Sequence, residues 1–319
     1  MLHLICPNPA LDRTILIDGY QEGQVNRPYL VHENAGGKSF NVAYVLKREG
    51  GGLCQDFLIH TILGGHMGDY LLYLNEKDGV PLAVTQVEKN TRTCTITIDS
   101  KERKTYLVYE KGFELDSDLL ENFRKEILSS LQVGDYLVFS GSLMKGMPDD
   151  FIVSLAEEVA GQVHLVVDTS GPALNEAVKA KPVLLKINDE EAAELVGQAL
   201  EREEDLIQVL RDHADIPNFI ITRGGDGVLA RLGQDFYKLR FPAIQVKNPI
   251  ASGDFFLGYL VHILEKEGQL NLQAVKKACA YASANCLEWL PQVQEDKIQF
   301  FLENIQVEEG GRDGLFFKK

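Results

Sequence analysis

Six short runs of apolar, often β-branched residues recur along the chain, each closing on or beside a Gly, Asn, Asp or Ser. They are Leu2–Cys6, Phe57–Leu63, Asp135–Ser140, His164–Asp168, Val183–Ile187 and Phe219–Thr222. Between them lie stretches with helical spacing at Phe40–Arg48, Met67–Lys77, Asp149–Ala160, Glu190–Val196 and Glu204–His213. This alternation predicts an α/β fold built from βαβ units, with a mostly parallel sheet and helices on both faces. Ligands of such sheets sit beyond the carboxyl ends of the strands, so the strand-end loops are where chemistry is expected.

Two regions break the rhythm. Residues 12–34 alternate polar and apolar around Gly19 and Gly23, and residues 83–109 give three short strands, Ala83–Val87, Thr93–Asp99 and Thr105–Tyr109. The last two flank the charged turn Ser100–Arg103, and all three read as antiparallel. A sheet this small is marginal alone, so it should pack as a lid on the main sheet or against a second copy. Helices are expected at Phe255–Glu265, Leu272–Trp289 and Asp296–Ile305, with Glu308–Lys319 a loose tail. Residues 1–319 therefore read as one domain with an inserted lid.

Charge narrows the partners. With 32 basic and 47 acidic residues the net charge is −15, a poor balance for nucleic acid or an anionic membrane. An anionic ligand would need locally clustered cations. No stretch approaches the roughly 18 apolar residues of a membrane span, and the N-terminus lacks a signal peptide's basic region. The five cysteines, Cys6, Cys54, Cys94, Cys279 and Cys286, are odd in number with no CxxC pair. A disulfide framework or zinc site is not expected, and a cytoplasmic location is.

Several loops carry candidate chemistry. Ala35-Gly36-Gly37-Lys38-Ser39 precedes a helix, but His32 stands where a P-loop requires its first glycine. Lys38 and Asn41 project instead from one face of the helix start, either into a site or into solvent. Asn248–Asp254 leads into the helix from Phe255, a natural anion site with unpaired amides. Asp254 there is a general base beside a transferring phosphoryl group, or only a helix cap. Asn188-Asp189-Glu190-Glu191 fits a capping box or a site for hydrated Mg²⁺. Thr222–Gly227, Ser140-Gly141-Ser142 and Asp168–Pro172 are further strand-end loops, each either a turn or a ligand cradle.

In this order the segments resemble the phosphofructokinase B family of ribokinase-like sugar kinases, in the branch with 1-phosphofructokinase and tagatose-6-phosphate kinase. The match rests on Asn8–Asp12, Val25–Arg27, Ala35–Asn41, Thr91–Thr93, Ser140–Leu143, Asp168–Gly171, Lys186–Asn188 and Asn248–Asp254. The resemblance implies a three-layer ribokinase-like fold with a β lid and phosphoryl transfer from Mg·ATP to a sugar phosphate. Fructose 1-phosphate is the first expectation; tagatose-6-phosphate kinase, 6-phosphofructokinase and a catalytically silent sugar-phosphate sensor are the alternatives. It further implies Asp254 as base, with Ala251, Ser252 and Gly253 as anion hole. Asp12, Gly36, Gly37, Lys38, Asn41 and Ser140 would hold the sugar, and Arg27 and Arg92 its phosphate. Lys186, Asn188, Thr222, Gly224, Gly225, Gly227 and Gly253 would meet ATP, with Glu191 and Asn188 on Mg²⁺ through water. A homodimer through the lid is also implied. Ser39, Ile187, Arg223, Ala251 and Tyr259 depart from the usual pattern.

Overall fold

The computed structural model describes residues 1–51, 56–159, 161–311 and 316; Cys54, Ala160 and most of the expected tail lie outside the described residues. Ten strands form one sheet. Seven are parallel, in spatial order β5 (Leu82–Val87), β4 (Phe57–Gly64), β1 (Leu2–Cys6), β8 (Tyr136–Ser140), β9 (His164–Asp168), β10 (Leu184–Asn188) and β11 (Asn218–Thr222). The antiparallel strands β12 (Val228–Leu232), β13 (Asp235–Arg240) and β14 (Gln306–Gly310) extend the far edge.

Both faces of this sheet are covered, which is why its strands read as continuous apolar runs. One face carries α1 (Lys38–Glu49), α2 (Gly65–Asp78), α8 (Ser252–Glu267), α9 (Leu272–Asn285) and α10 (Glu295–Asn304). The other carries α3 (Ser117–Ser130), α4 (Phe151–Glu158), α5 (Pro172–Lys179), α6 (Asp189–Val196) and α7 (Glu203–Asp212). Side chains alternate between the two cores: Leu184 and Ile220 point to the first, Leu185, Ile187, Phe219 and Ile221 to the second. The result is a three-layer α/β/α body, and no helix among the described residues is long and apolar enough to cross a membrane.

A separate four-stranded sheet has the order β3 (Leu30–Gly36), β2 (Ala10–Ile17), β6 (Arg92–Asp99) and β7 (Lys104–Tyr109). Leu16, Ile96 and Ile98 bury one face of this lid against Ile250 and Trp289. The Asp99 carboxylate pins the lid's end by accepting from the backbone N–H of Gly19, Tyr20, Lys101 and Glu102.

Some expectations are corrected. Ala83–Val87 belongs to the main sheet, parallel to β4, because α2 provides the crossover that returns the chain in the same direction. The expected antiparallel pairing of β6 with β7 holds, and β2 runs antiparallel to β3 but parallel to β6. Residues 308–310 of the expected tail belong to β14, which covers the open edge of β13, and Phe316 bridges to Gly310. The helix expected to reach Trp289 stops at Asn285.

Candidate active site

The carboxyl ends of β1, β8, β9 and β10 meet the first turns of α1 and α8. At the centre lies Asp168, fully buried at the end of β9. Its Oδ1 is 3.3 Å from Lys186 Nζ and its Oδ2 is 3.4 Å from Lys38 Nζ. Ser140 Oγ donates to the same Oδ2 at 3.4 Å. Burial pushes the Asp168 carboxyl up, but Lys186 and Lys38 outweigh it and hold it below the ordinary range. Asp168 in turn raises the Lys38 ammonium above its ordinary value. By sequence, Asp168 falls in a strand-end loop that is either a turn or a ligand cradle, without a role of its own; the further signal was a carboxylate closing the apolar run Leu165–Val167.

Asp254 sits in the first turn of α8 and is also buried. It does not cap the helix: Ala251 is the N-cap residue, and Asp254 Oδ2 instead accepts from Asn41 Nδ2 at 2.8 Å. Burial pushes the Asp254 carboxyl up to about 6, with Lys38 pulling it down and Asp168 pushing it further up. Ser252 N–H donates to Pro249 O at 3.2 Å and Phe255 N–H to Ala251 O at 2.9 Å. The Ala251, Gly253 and Asp254 amides have no acceptor among the described residues, so of the expected anion-hole amides only that of Ser252 is committed. Lys186 Nζ stands 3.1 Å from where a Gly253 Cβ would lie.

The residues expected to hold the sugar gather at the base of the small sheet. A Cβ at Gly36 would overlap the Asp12 carboxylate, so only glycine lets β3 pass so close to that side chain. Burial pushes the Asp12 carboxyl up to about 7, with Arg92 opposing and Asp254 reinforcing the shift. Arg92 Nη2 donates to Asn8 O at 3.1 Å and Nη1 to Glu110 O at 3.4 Å, while its buried Nε has no partner among the described residues. Gly37 is the N-cap of α1, and β3 runs through His32, so no P-loop wraps here. Arg27 does not join this group. It is exposed on the β2–β3 loop, which Asn26 folds upon itself through bonds to Gln21 and Gln24.

Among the residues expected to meet ATP, Asn188 and Glu191 form the reciprocal capping box of α6, with bonds of 2.7 and 2.8 Å. Burial pushes the Glu191 carboxyl up. No group of three His, Cys, Asp or Glu side chains forms a metal cage among the described residues. One carboxylate suits Mg²⁺ held largely by water and phosphate oxygens. Thr222 Oγ1 donates to Ile187 O at 3.3 Å. Gly224, Gly225 and Asp226 make a single turn of 3-10 helix. Gly227 is required by the fold, since a Cβ there would run into the Leu239 carbonyl.

The departures from the family pattern leave the site intact. Ser39 is buried and donates to Ile5 O at 3.0 Å, away from the pocket. Tyr259 stacks on Tyr281 with ring centroids 5.4 Å apart, and Lys277 Nζ lies 4.8 Å over its ring. Arg223 pairs with Glu203 at 2.6 Å, and Lys238 shares that carboxylate. A separate cavity of about 650 Å³ opens behind Asn41, between Tyr44, Phe255 and Gln292, and stops short of Lys38, Arg92 and Asp254.

Comparison with known proteins bears on the fold and the family. Curated relatives include a tagatose-6-phosphate kinase of Staphylococcus epidermidis, 29% identical over 97% of this chain and 100% of the relative. Among solved structures, the phosphofructokinase-2 of Escherichia coli superposes with a TM-score of 0.86 at 21% identity, covering 95% of this chain and 98% of that one. A Thermotoga maritima protein described as a possible 1-phosphofructokinase gives 0.85 at 20% identity, covering 97% and 99%. The sequence profile of the pfkB family carbohydrate kinases matches residues 8–296, and the chain belongs to that family.

Proposed function

We propose that the protein is an ATP-dependent kinase of a phosphorylated ketohexose. The observation that carries this reading is a buried Asp254, held by Asn41 at an open helix turn, with Lys38 and Asp168 acting on its charge. Asp254 takes the proton of the attacking sugar hydroxyl as that oxygen bonds to phosphorus and ADP leaves with the electrons of the broken P–O bond. The Ala251, Gly253 and Asp254 amides, with Lys186 and Lys38, stabilise charge on the transferring group. Asp12, Gly36, Gly37, Lys38, Asn41 and Ser140 hold the sugar so that one hydroxyl faces Asp254. Arg92 uses its unpaired Nε on the phosphate already present, while Arg27, exposed and apart from this group, is left out of the clamp.

Lys186, Asn188, Thr222, Gly224, Gly225 and Gly227 bound the ATP side. Mg²⁺ bound with ATP would neutralise phosphate charge, with Glu191 and Asn188 holding its water shell. Fructose 1-phosphate is the first acceptor to test. Tagatose 6-phosphate is the second, supported by the name of the Staphylococcus epidermidis relative. We assign the protein to the cytoplasm and to a homodimer through the lid, a reading supported by the exposure of all six residues of β7, Leu107 and Val108 included.

The test is ADP release with Mg·ATP across fructose 1-phosphate, fructose 6-phosphate, tagatose 6-phosphate and unphosphorylated sugars. Turnover on one phosphorylated ketohexose, lost in Asp254→Asn, is the expected result. Binding of a sugar phosphate without ADP formation on any of them would favour the silent sensor and overturn the kinase reading.

A further inference from the structure

We propose that Asn285, the last residue of α9, is a positioning residue for the anion-hole turn. Its side chain is buried and fully committed. Nδ2 donates to Ile250 O at 2.7 Å and to Ser252 Oγ at 3.0 Å, and Oδ1 accepts from Gln292 N–H at 3.2 Å. The first two bonds straddle Ala251.

Ala251 is where the turn needs holding. Its φ of 67° and ψ of −3° lie in the left-handed region, which a residue with a Cβ occupies only at a cost. Such a conformation persists when its surroundings over-determine it. Here they do so from several sides. Asn248 Oδ1 accepts from Ile250 N–H at 3.0 Å, its Nδ2 donates to Trp289 O at 3.0 Å, and Lys247 N–H donates to Cys286 O at 2.8 Å. Asn285 is the one side chain among these that bonds on both sides of Ala251.

The turn's geometry decides where the Gly253 and Asp254 amides aim. Donors that stabilise developing charge act through being fixed before the reaction, and a displacement of about 1 Å can cost on the order of 10²-fold in rate. Asn285 touches no reacting atom. It acts through Ile250 and Ser252, so its loss reaches the transition state more than the bound sugar. This inference rests on the phosphoryl-transfer reading above.

The experiment compares wild type, Asn285→Ala and the isosteric Asn285→Asp, which keeps the acceptor for Gln292 but loses both Nδ2 donations. Tyr136→Phe, which removes a remote buried bond to Leu264 O, controls for general destabilisation. With the best acceptor of the panel, both Asn285 variants should lose roughly 10- to 100-fold in kcat while KM for the sugar phosphate moves less than about 3-fold. Tyr136→Phe should change neither. Amide hydrogen exchange gives a second readout that needs no turnover: residues 250–254 should exchange faster in both Asn285 variants. Wild-type kcat in Asn285→Asp, or unchanged exchange across 250–254, overturns the proposal. An inactive wild type overturns the kinase reading instead, and the exchange result still decides whether Asn285 holds the turn.

Discussion

Asn41 donates its side-chain amide to Asp254 across 2.8 Å, so the first turns of α1 and α8 meet at one carboxylate. The bond orients Asp254 and lowers its proton affinity, in opposition to the burial that raises it. It leaves a buried carboxylate that ionises below neutrality, as the proposed base requires.

This sets the acid limb of activity. A base must be deprotonated, and burial holds Asp254 at about 6, so kcat/KM should fall as pH drops through that value. Asn41→Ala removes a bond to the charged form and should move the limb to higher pH; a pH–rate profile that keeps its midpoint would show that another group titrates. Asp254→Asn should cost about 10²- to 10⁴-fold in kcat with sugar-phosphate binding retained by calorimetry.

Asp12 should make the free protein pH-sensitive in the opposite sense to a salt-bridged acid. Its folded carboxyl is raised by burial from the model-peptide 3.8 to about 7. The fold therefore favours the protonated form, and the stability it contributes is full below about 4 and lost as pH rises through about 7. Asp12→Asn stays neutral throughout. Its Tm should match wild type near pH 4 and exceed it above pH 7, while KM for the sugar phosphate rises.

Arg92→Ala should raise KM for the sugar phosphate about 10- to 100-fold, the equivalent of about 1.5–3 kcal/mol for a charge-assisted bond, with a smaller change in kcat. Arg92→Lys should recover little, because a single ammonium cannot reproduce the guanidinium's fork. Unchanged KM in steady-state kinetics would remove Arg92 from the clamp.

Val108 is 65% exposed on β7. Val108→Asp places a charge on the proposed contact and should convert a dimer to a monomer in analytical ultracentrifugation. A wild-type sedimentation profile in the variant would place any self-association elsewhere.

The sequence made the parallel body legible because its strands are apolar throughout, as in Leu2–Cys6 and Leu184–Ile187. It hid the β12–β13 hairpin because Arg231 and Lys238 interrupt the apolar pattern, although both are buried. Arg231 spends its guanidinium on four backbone carbonyls, and Lys238 pairs with Glu203. Helix α3 was missed despite a local signal, Asp116 accepting from Leu119 N–H at 2.9 Å as its cap. In the site, Lys38, Asn41, Lys186 and Asp254 stood out by motif and do converge. Asp168 entered only as part of a strand-end motif and Asn285 not at all, because their importance lies in whom they bond across 18 to 130 residues of chain.

On the lid, Ala10 is the common rung: it pairs with Gly36 on one side and with Arg92 on the other. Asp12 lies two residues along the same strand, opposite Asn34 and Cys94. On the proposed function, covering the sugar and gripping it are therefore one mechanical event. On that reading a substitution on the sheet's outer surface is also felt where the sugar is held.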